Sequence, residues 1–181
     1  MNTEIKKQVK QVREILQQKG YVLADTYFKL DIYMVPKCIN ISSIKSLQEL
    51  NALGEYILLK DDNSTKKTIT YKKDVVKCEN KVTGKIESIS STIKLLKILG
   101  YKEFININQT IYCYIKKDTK AETKKQIKVK DIKKMGIYIE YFDKDILDDI
   151  KDSLDIKKDI KLNTFESEEE FLDMFFKCKL L

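Results

Sequence analysis

There is no histidine anywhere in the 181 residues, and arginine occurs once, as Arg13. The first absence removes every mechanism that depends on an imidazole, the Ser-His-Asp arrangement among them. It also removes the usual Cys/His zinc sites, because the four cysteines (Cys38, Cys78, Cys113, Cys178) are far apart and form no CxxC pair. Such thiols are expected to be buried and reduced, and Cys178-Lys179-Leu180-Leu181 puts a lysine where a prenylation box prefers an aliphatic residue. The scarcity of arginine argues against a nucleic-acid partner, since bidentate base contacts favour the guanidinium. No apolar run approaches the roughly 20 residues of a membrane span, and the first residues are polar and basic without a signal-peptide core. A cytoplasmic protein with no membrane partner is expected.

What is present is lysine. The formal net charge is +7, with 43% hydrophobic and 35% charged residues, a balance that supports a folded domain and suits an anionic ligand. The same charge is also what a solvated, lysine-rich surface carries, so charge alone does not choose.

The chain reads as alternating helical and strand-like segments. Val9, Val12, Ile15 and Leu16 recur at helical spacing within 8–19 and stop at Gly20. Residues 21–35, rich in Tyr, Val, Ile and Phe, read as one or two strands ending at Pro36, the only proline. A short helix is expected over 43–53, then strands over 56–60 and 68–72 joined by a polar hairpin, and another strand over 77–87 with Gly84 as a bend. A helix over 91–99 stops at Gly100, followed by strands over 104–115, 126–132 and 137–142. Helices are expected over 144–154 and 167–176, the latter with a packing stripe of Phe171, Leu172, Phe175 and Phe176. Gly20-Tyr21 and Gly100-Tyr101 fall at matching places, so one domain over 1–181 with pseudo-repeat halves of about 1–88 and 89–181 is expected.

Strand alternation puts Thr68, Thr70 and Lys72 opposite Ile69 and Tyr71, Lys128 and Lys130 opposite Ile127 and Val129, and Tyr138 and Glu140 opposite Ile137 and Ile139. A sheet with one apolar and one charged face either turns its charges to solvent or curls so that they line a lumen.

The order of landmarks resembles the CYTH superfamily, which includes class IV adenylyl cyclases, thiamine triphosphatases and inorganic triphosphatases. Asp25-Thr26-Tyr27-Phe28 looks like the family's D-x-Y-F strand, and Ile69-Thr70-Tyr71-Lys72 like its L-T-Y-K strand. Leu95-Leu96 through Gly100-Tyr101 resembles the LL-x-x-LGF segment, and Met135 to Glu140 resembles LG-x-F-x-E. The resemblance implies an α+β fold, a mostly antiparallel β-barrel or triphosphate tunnel with helices packed outside. It implies a nucleoside triphosphate or other polyphosphate as ligand, Mg²⁺ or Mn²⁺ as cofactor, and cyclase or triphosphatase chemistry. Lys60, Lys72 and Lys130 would be the catalytic cations, Lys6 and Lys128 would join them in binding substrate, and Glu4, Glu79 and Glu140 would hold metal, the other reading of Glu140 being a buried carboxylate paired with a tunnel lysine. A triphosphate needs several fixed cations on different walls, and hard divalent ions need oxygen ligands.

The family pattern is incomplete here. Its N-terminal E-x-E-x-K strand survives as Glu4-Ile5-Lys6, with Asn2 at the first glutamate. Leu58 and Lys60 stand for two inward arginines; Gln109 and Ile111, or one residue away Asn108 and Thr110, stand for a K-x-R pair. Lys130 replaces an aspartate, Phe142 a glutamate, and Lys81 one acid of a pair with Glu79. Lost contacts to a phosphoryl group at about 3 kcal/mol each leave little catalysis. Lys128 and Lys130 would return charge to the lumen, re-lined for a different anion. The alternative is a binding-only tunnel, or a module whose basic surface meets nucleic acid or protein.

Overall fold

The computed structural model describes residues 3–44, 46–62, 66–75, 78–116, 126–133, 136–141, 163–165, 170, 172–173 and 175–176. Along the chain run α1 (Thr3–Gln18), β1 (Tyr21–Pro36), a 3-10 turn (Ile41–Ser43), α2 (Leu47–Ala52), β2 (Glu55–Asp62), β3 (Lys66–Val75) and β4 (Cys78–Lys85). Then follow α3 (Ile89–Ile98), β5 (Tyr101–Lys116), β6 (Gln126–Ile132), β7 (Gly136–Tyr141) and β8 (Asn163–Phe165). The strand order is β4-β3-β2-β1-β5-β6-β7-β8. The β1–β2, β2–β3, β3–β4, β5–β6 and β6–β7 ladders are antiparallel, and β7–β8 is parallel.

The α+β, mostly antiparallel expectation holds, but the closed barrel does not. The order has two ends, β4 and β8, with no pairing between them among the described strands. β8 is three residues long and runs parallel to β7, so it ends the ladder and supplies no long strand through which to close it.

The chain divides into two compact units, Met1–Tyr27 with Gln109–Ser167 and Phe28–Asn108 with Glu168–Leu181. In the first, Val12, Ile15 and Leu16 of α1 bury against Tyr21, Tyr114, Ile127, Val129, Ile137 and Ile139. Helical and strand periods therefore meet as read: every third or fourth residue of α1 lands on every second residue of β6 and β7. In the second, Leu96 of α3 packs with Ile32, Met34, Ile57 and Leu59, and Ile69, Tyr71, Ile89 and Ile93 border that cluster. Phe104 stacks on Phe176 with ring centroids 5.6 Å apart, and Leu172, Phe175 and Phe176 are buried, as expected of that stripe; Phe171 lies outside the described residues.

Helix boundaries follow capping. Ser88 Oγ accepts from the Ser91 N–H at 3.3 Å, so α3 starts before the expected residue 91. Ser46 Oγ accepts from the Glu49 N–H at 3.1 Å, which confines α2 to six residues of the expected 43–53. Gly20 (φ +81°) and Gly100 (φ +94°) end α1 and α3 in left-handed backbone, and each leads into a 16-residue strand. The N-terminal strand implied for Glu4-Ile5-Lys6 is absent, because α1 begins at Thr3. Ile5, Val9, Val12 and Leu16 continue one helical stripe, and that period prevails over a three-residue strand. The helix expected over 144–154 lies outside the described residues. No helix among the described residues is long and apolar enough to cross a membrane.

Candidate anion-binding faces

In the first unit, Ile127 and Val129 of β6 go to α1, so Lys128 and Lys130 project from the opposite face. Cross-strand register places Cys113 and Glu140 beside Lys128, and Ile111 and Tyr138 beside Lys130. Glu140 joins the two lysines: its Oε1 is 3.4 Å from Lys128 Nζ, and its Oε2 is ion-paired to Lys130 Nζ. Lys130 is buried, as are Ile111, Cys113 and Tyr138.

Burial pushes the Glu140 carboxyl up, but hydrogen bonds and Coulomb attraction from Lys130 and Lys128 outweigh it and hold the group below its usual 4.5. The face thus brings Lys128, Lys130 and Glu140 together in a mostly dry setting, and the Asp25 charge acts on Cys113 beside them. Burial raises the Cys113 thiol, which is a poor nucleophile in consequence, whereas Cys38, expected to be buried, is exposed.

Gln109 sits two residues before Ile111 on the same face, opposite Ile132. Its Oε1 is buried and accepts no hydrogen bond. Of the two registers considered for this strand, Gln109 and Ile111 share the face with Lys130, whereas Thr110 lies opposite Asp131. Asp131, one residue past the position where the family has an aspartate, points to the α1 side and is buried, and that burial raises its carboxyl.

In the second unit, Lys72 of β3 donates to Asn51 Oδ1 of α2 at 3.2 Å and lies 5.9 Å from the Tyr56 ring centroid. Tyr56 and Tyr33 have centroids 6.0 Å apart. Thr70 and Thr83 share a hydroxyl hydrogen bond of 3.0 Å across β3 and β4. Lys60 pairs in register with buried Asp31, whose Oδ2 is 3.2 Å from Lys29 Nζ. Leu58, standing for one inward arginine, is opposite Tyr33.

The structure brings Lys128, Lys130 and Glu140 together in one unit and places Lys60 and Lys72 in the other. Glu4 and Lys6 lie on α1 and Glu79 on β4 opposite Asp74; these three side chains are outside the described residues. Three participants were missed by sequence reasoning. Asp31 had a signal, a carboxylate inside the apolar run Leu30 to Val35. Gln109 was read only as a lost cation, and nothing in the local pattern marks Asn51.

Among the described residues no group of three His, Cys, Asp or Glu side chains is placed to hold a metal ion. Glu140, the described member of the expected ligand set, already serves two ammonium groups.

No protein-family description matches the chain, and no curated protein does. Among solved structures, the PH1819 protein of Pyrococcus horikoshii is 18% identical with a TM-score of 0.42, covering 98% of this chain and 95% of its own. PH1012 of the same organism is 15% identical with a TM-score of 0.43, covering 91% and 93%. A "putative adenylate cyclase" of Vibrio parahaemolyticus is 11% identical with a TM-score of 0.37, covering 71% and 65%.

Proposed function

We propose that this protein binds a nucleoside triphosphate or another polyphosphate, in the manner of a CYTH-like triphosphate-tunnel protein whose catalysis has been lost. One observation carries the reading: a buried lysine and a second lysine beside it share a single carboxylate. An ammonium at that depth requires a counter-charge. Glu140 supplies one to both lysines, and an incoming phosphate oxygen can compete with it for either ammonium group. In a partly dry setting such charge-assisted hydrogen bonds are about twice as strong as neutral ones.

Turnover asks for more than attraction. Hydrolysis needs a positioned water, and cyclisation needs a ribose hydroxyl aligned on the α-phosphate. Mg²⁺ or Mn²⁺, if bound, would supply neutralisation of the phosphate charge. The described donors do not fit such an ion, since Glu140 is committed to Lys128 and Lys130. The lysines attract the anion without metal; Lys72, held by Asn51 and Tyr56, is a separate candidate cation of the other unit.

A thermal-shift panel tests this with tripolyphosphate, ATP, GTP and thiamine triphosphate, each in Mg²⁺ and in EDTA. At a hundred times its dissociation constant a ligand adds about 2.7 kcal/mol, roughly 5–11 °C in Tm for a chain of this size. We expect most of that shift to survive in EDTA, with little phosphate or pyrophosphate released. Stabilisation that appears only with Mg²⁺, together with rapid Mg²⁺-dependent turnover, would refute a metal-independent binder.

A further inference from the structure

Strand β4 is one end of the strand order, and residues 81–85 within it are all exposed, Val82 at 66%. Gly84 has no side chain, so its exposure is that of the backbone itself. The Ile86 N–H donates to the Lys67 carbonyl at 3.0 Å, which fixes the direction of each amide along β4. Counting back in twos from Ile86, Gly84 and Val82 also turn their N–H and C=O groups toward β3, where they face Ile69 and Tyr71. The N–H and C=O groups of Lys81, Thr83 and Lys85 therefore point away from the sheet, where β4 has no second neighbour among the described strands. Such a row is a template for another strand.

Two copies meeting antiparallel at this edge are related by a two-fold axis that sets one residue against its own copy. With β4 spanning Cys78–Lys85, the longest overlaps pair 78–84 about Lys81 or 79–85 about Val82. The first sets Lys81 against Lys81, a like-charge pair. The second sets Val82 against Val82, Lys81 against Thr83 and Glu79 against Lys85. An apolar pair then holds the centre, opposite charges take facing places at each end, and no like charges face each other. The outward-pointing residues form the hydrogen-bonded pairs in this register, and Val82 forms the closer, non-hydrogen-bonded one. Val82 also lies opposite Tyr71, on the sheet face whose Ile69 and Tyr71 border the α3 cluster, so the contact extends an apolar surface already built. We propose that two copies of this chain associate through β4, antiparallel about Val82, joining their sheets edge to edge.

One strand edge is smaller than the roughly 800 Å² per partner of a standard interface, so the dimer is weak and concentration-dependent. Sedimentation velocity on the whole protein should show monomer giving way to dimer between about 10 µM and 1 mM. Over the same range, amide exchange read by NMR should slow at Lys81, Thr83 and Lys85 and stay unchanged at Val82 and Gly84. Val82→Lys and Val82→Glu each set a like charge on the axis and should weaken the dimer about tenfold. An equimolar mixture of the two variants should restore it, because the mixed pair has opposite charges. A parent that stays monomeric at every concentration overturns the proposal and leaves the edge to an extended segment of another protein. A dimer that neither variant weakens, or whose added protection falls elsewhere than on the three outward amides, overturns it too. Failure of the mixture to recover, with both variants folded, overturns the axis at Val82. If either variant fails to fold, the parent protein's exchange pattern decides.

Discussion

Replacing Glu140 by glutamine would keep the shape of the side chain and delete its charge. Lys128 Nζ, 3.4 Å away, and Lys130 Nζ, in direct contact, would then share a neutral amide. Removing one partner of a buried pair costs about 3–5 kcal/mol, mostly because the other charge stays buried. Lys128 is exposed enough to relax into water, so the loss falls on Lys130 and the lower figure, about 3 kcal/mol, applies. For a chain of this length that is roughly 6–12 °C in Tm. Urea unfolding of parent and variant at pH 7 and at pH 3.5 measures it. The Glu140 carboxyl is held below its usual 4.5, so its contribution is fully present above that value and is lost as pH falls through the folded-state pKa. The gap between the proteins should therefore be constant above pH 5 and shrink in acid. Tripolyphosphate should stabilise the variant more than the parent, since it supplies the missing counter-charge. A variant within about 0.5 kcal/mol of the parent at pH 7, typical of a solvated surface change, would refute the reasoning.

Asp131→Asn should stabilise the protein at pH 7. Burial raises that carboxyl above its usual 3.8, so the parent loses stability as pH rises from the unfolded toward the folded pKa, and the benefit should vanish in pH 3 thermal scans. Lys72→Ala removes the hydrogen bond to Asn51 and the contact with Tyr56, which should cost about 1 kcal/mol by denaturant titration.

The units' cores were legible because period and composition agreed. Alternation in 127–130 and 137–140 correctly separated the α1-facing residues from Lys128, Lys130 and Glu140. That Glu140 pairs with a lysine was one of two readings open to the sequence; which lysines it meets was not legible, since that depends on a one-residue choice of register between β6 and β7 that the polar strand faces leave open. The same ambiguity hid Gln109, which could be placed inward only as one of two registers. The Glu4-Ile5-Lys6 strand failed for the opposite reason. Motif order suggested an extended segment where the chain's own helical stripe runs through to Thr3. Closure was misjudged because β8, the strand that ends the ladder, is three residues and has no pattern to read.

The two longest strands, β1 and β5, are neighbours in the interior of the strand order and not at its ends. Cutting the chain between residues 88 and 89 would leave each fragment with a 16-residue strand deprived of a partner along one side. Long unpaired edges of this kind recruit other chains. The fragments are thus expected to be sticky apart and soluble only when co-expressed, which makes the chain a natural starting point for a split reporter whose reassembly restores backbone pairing together with the α1 and α3 core contacts.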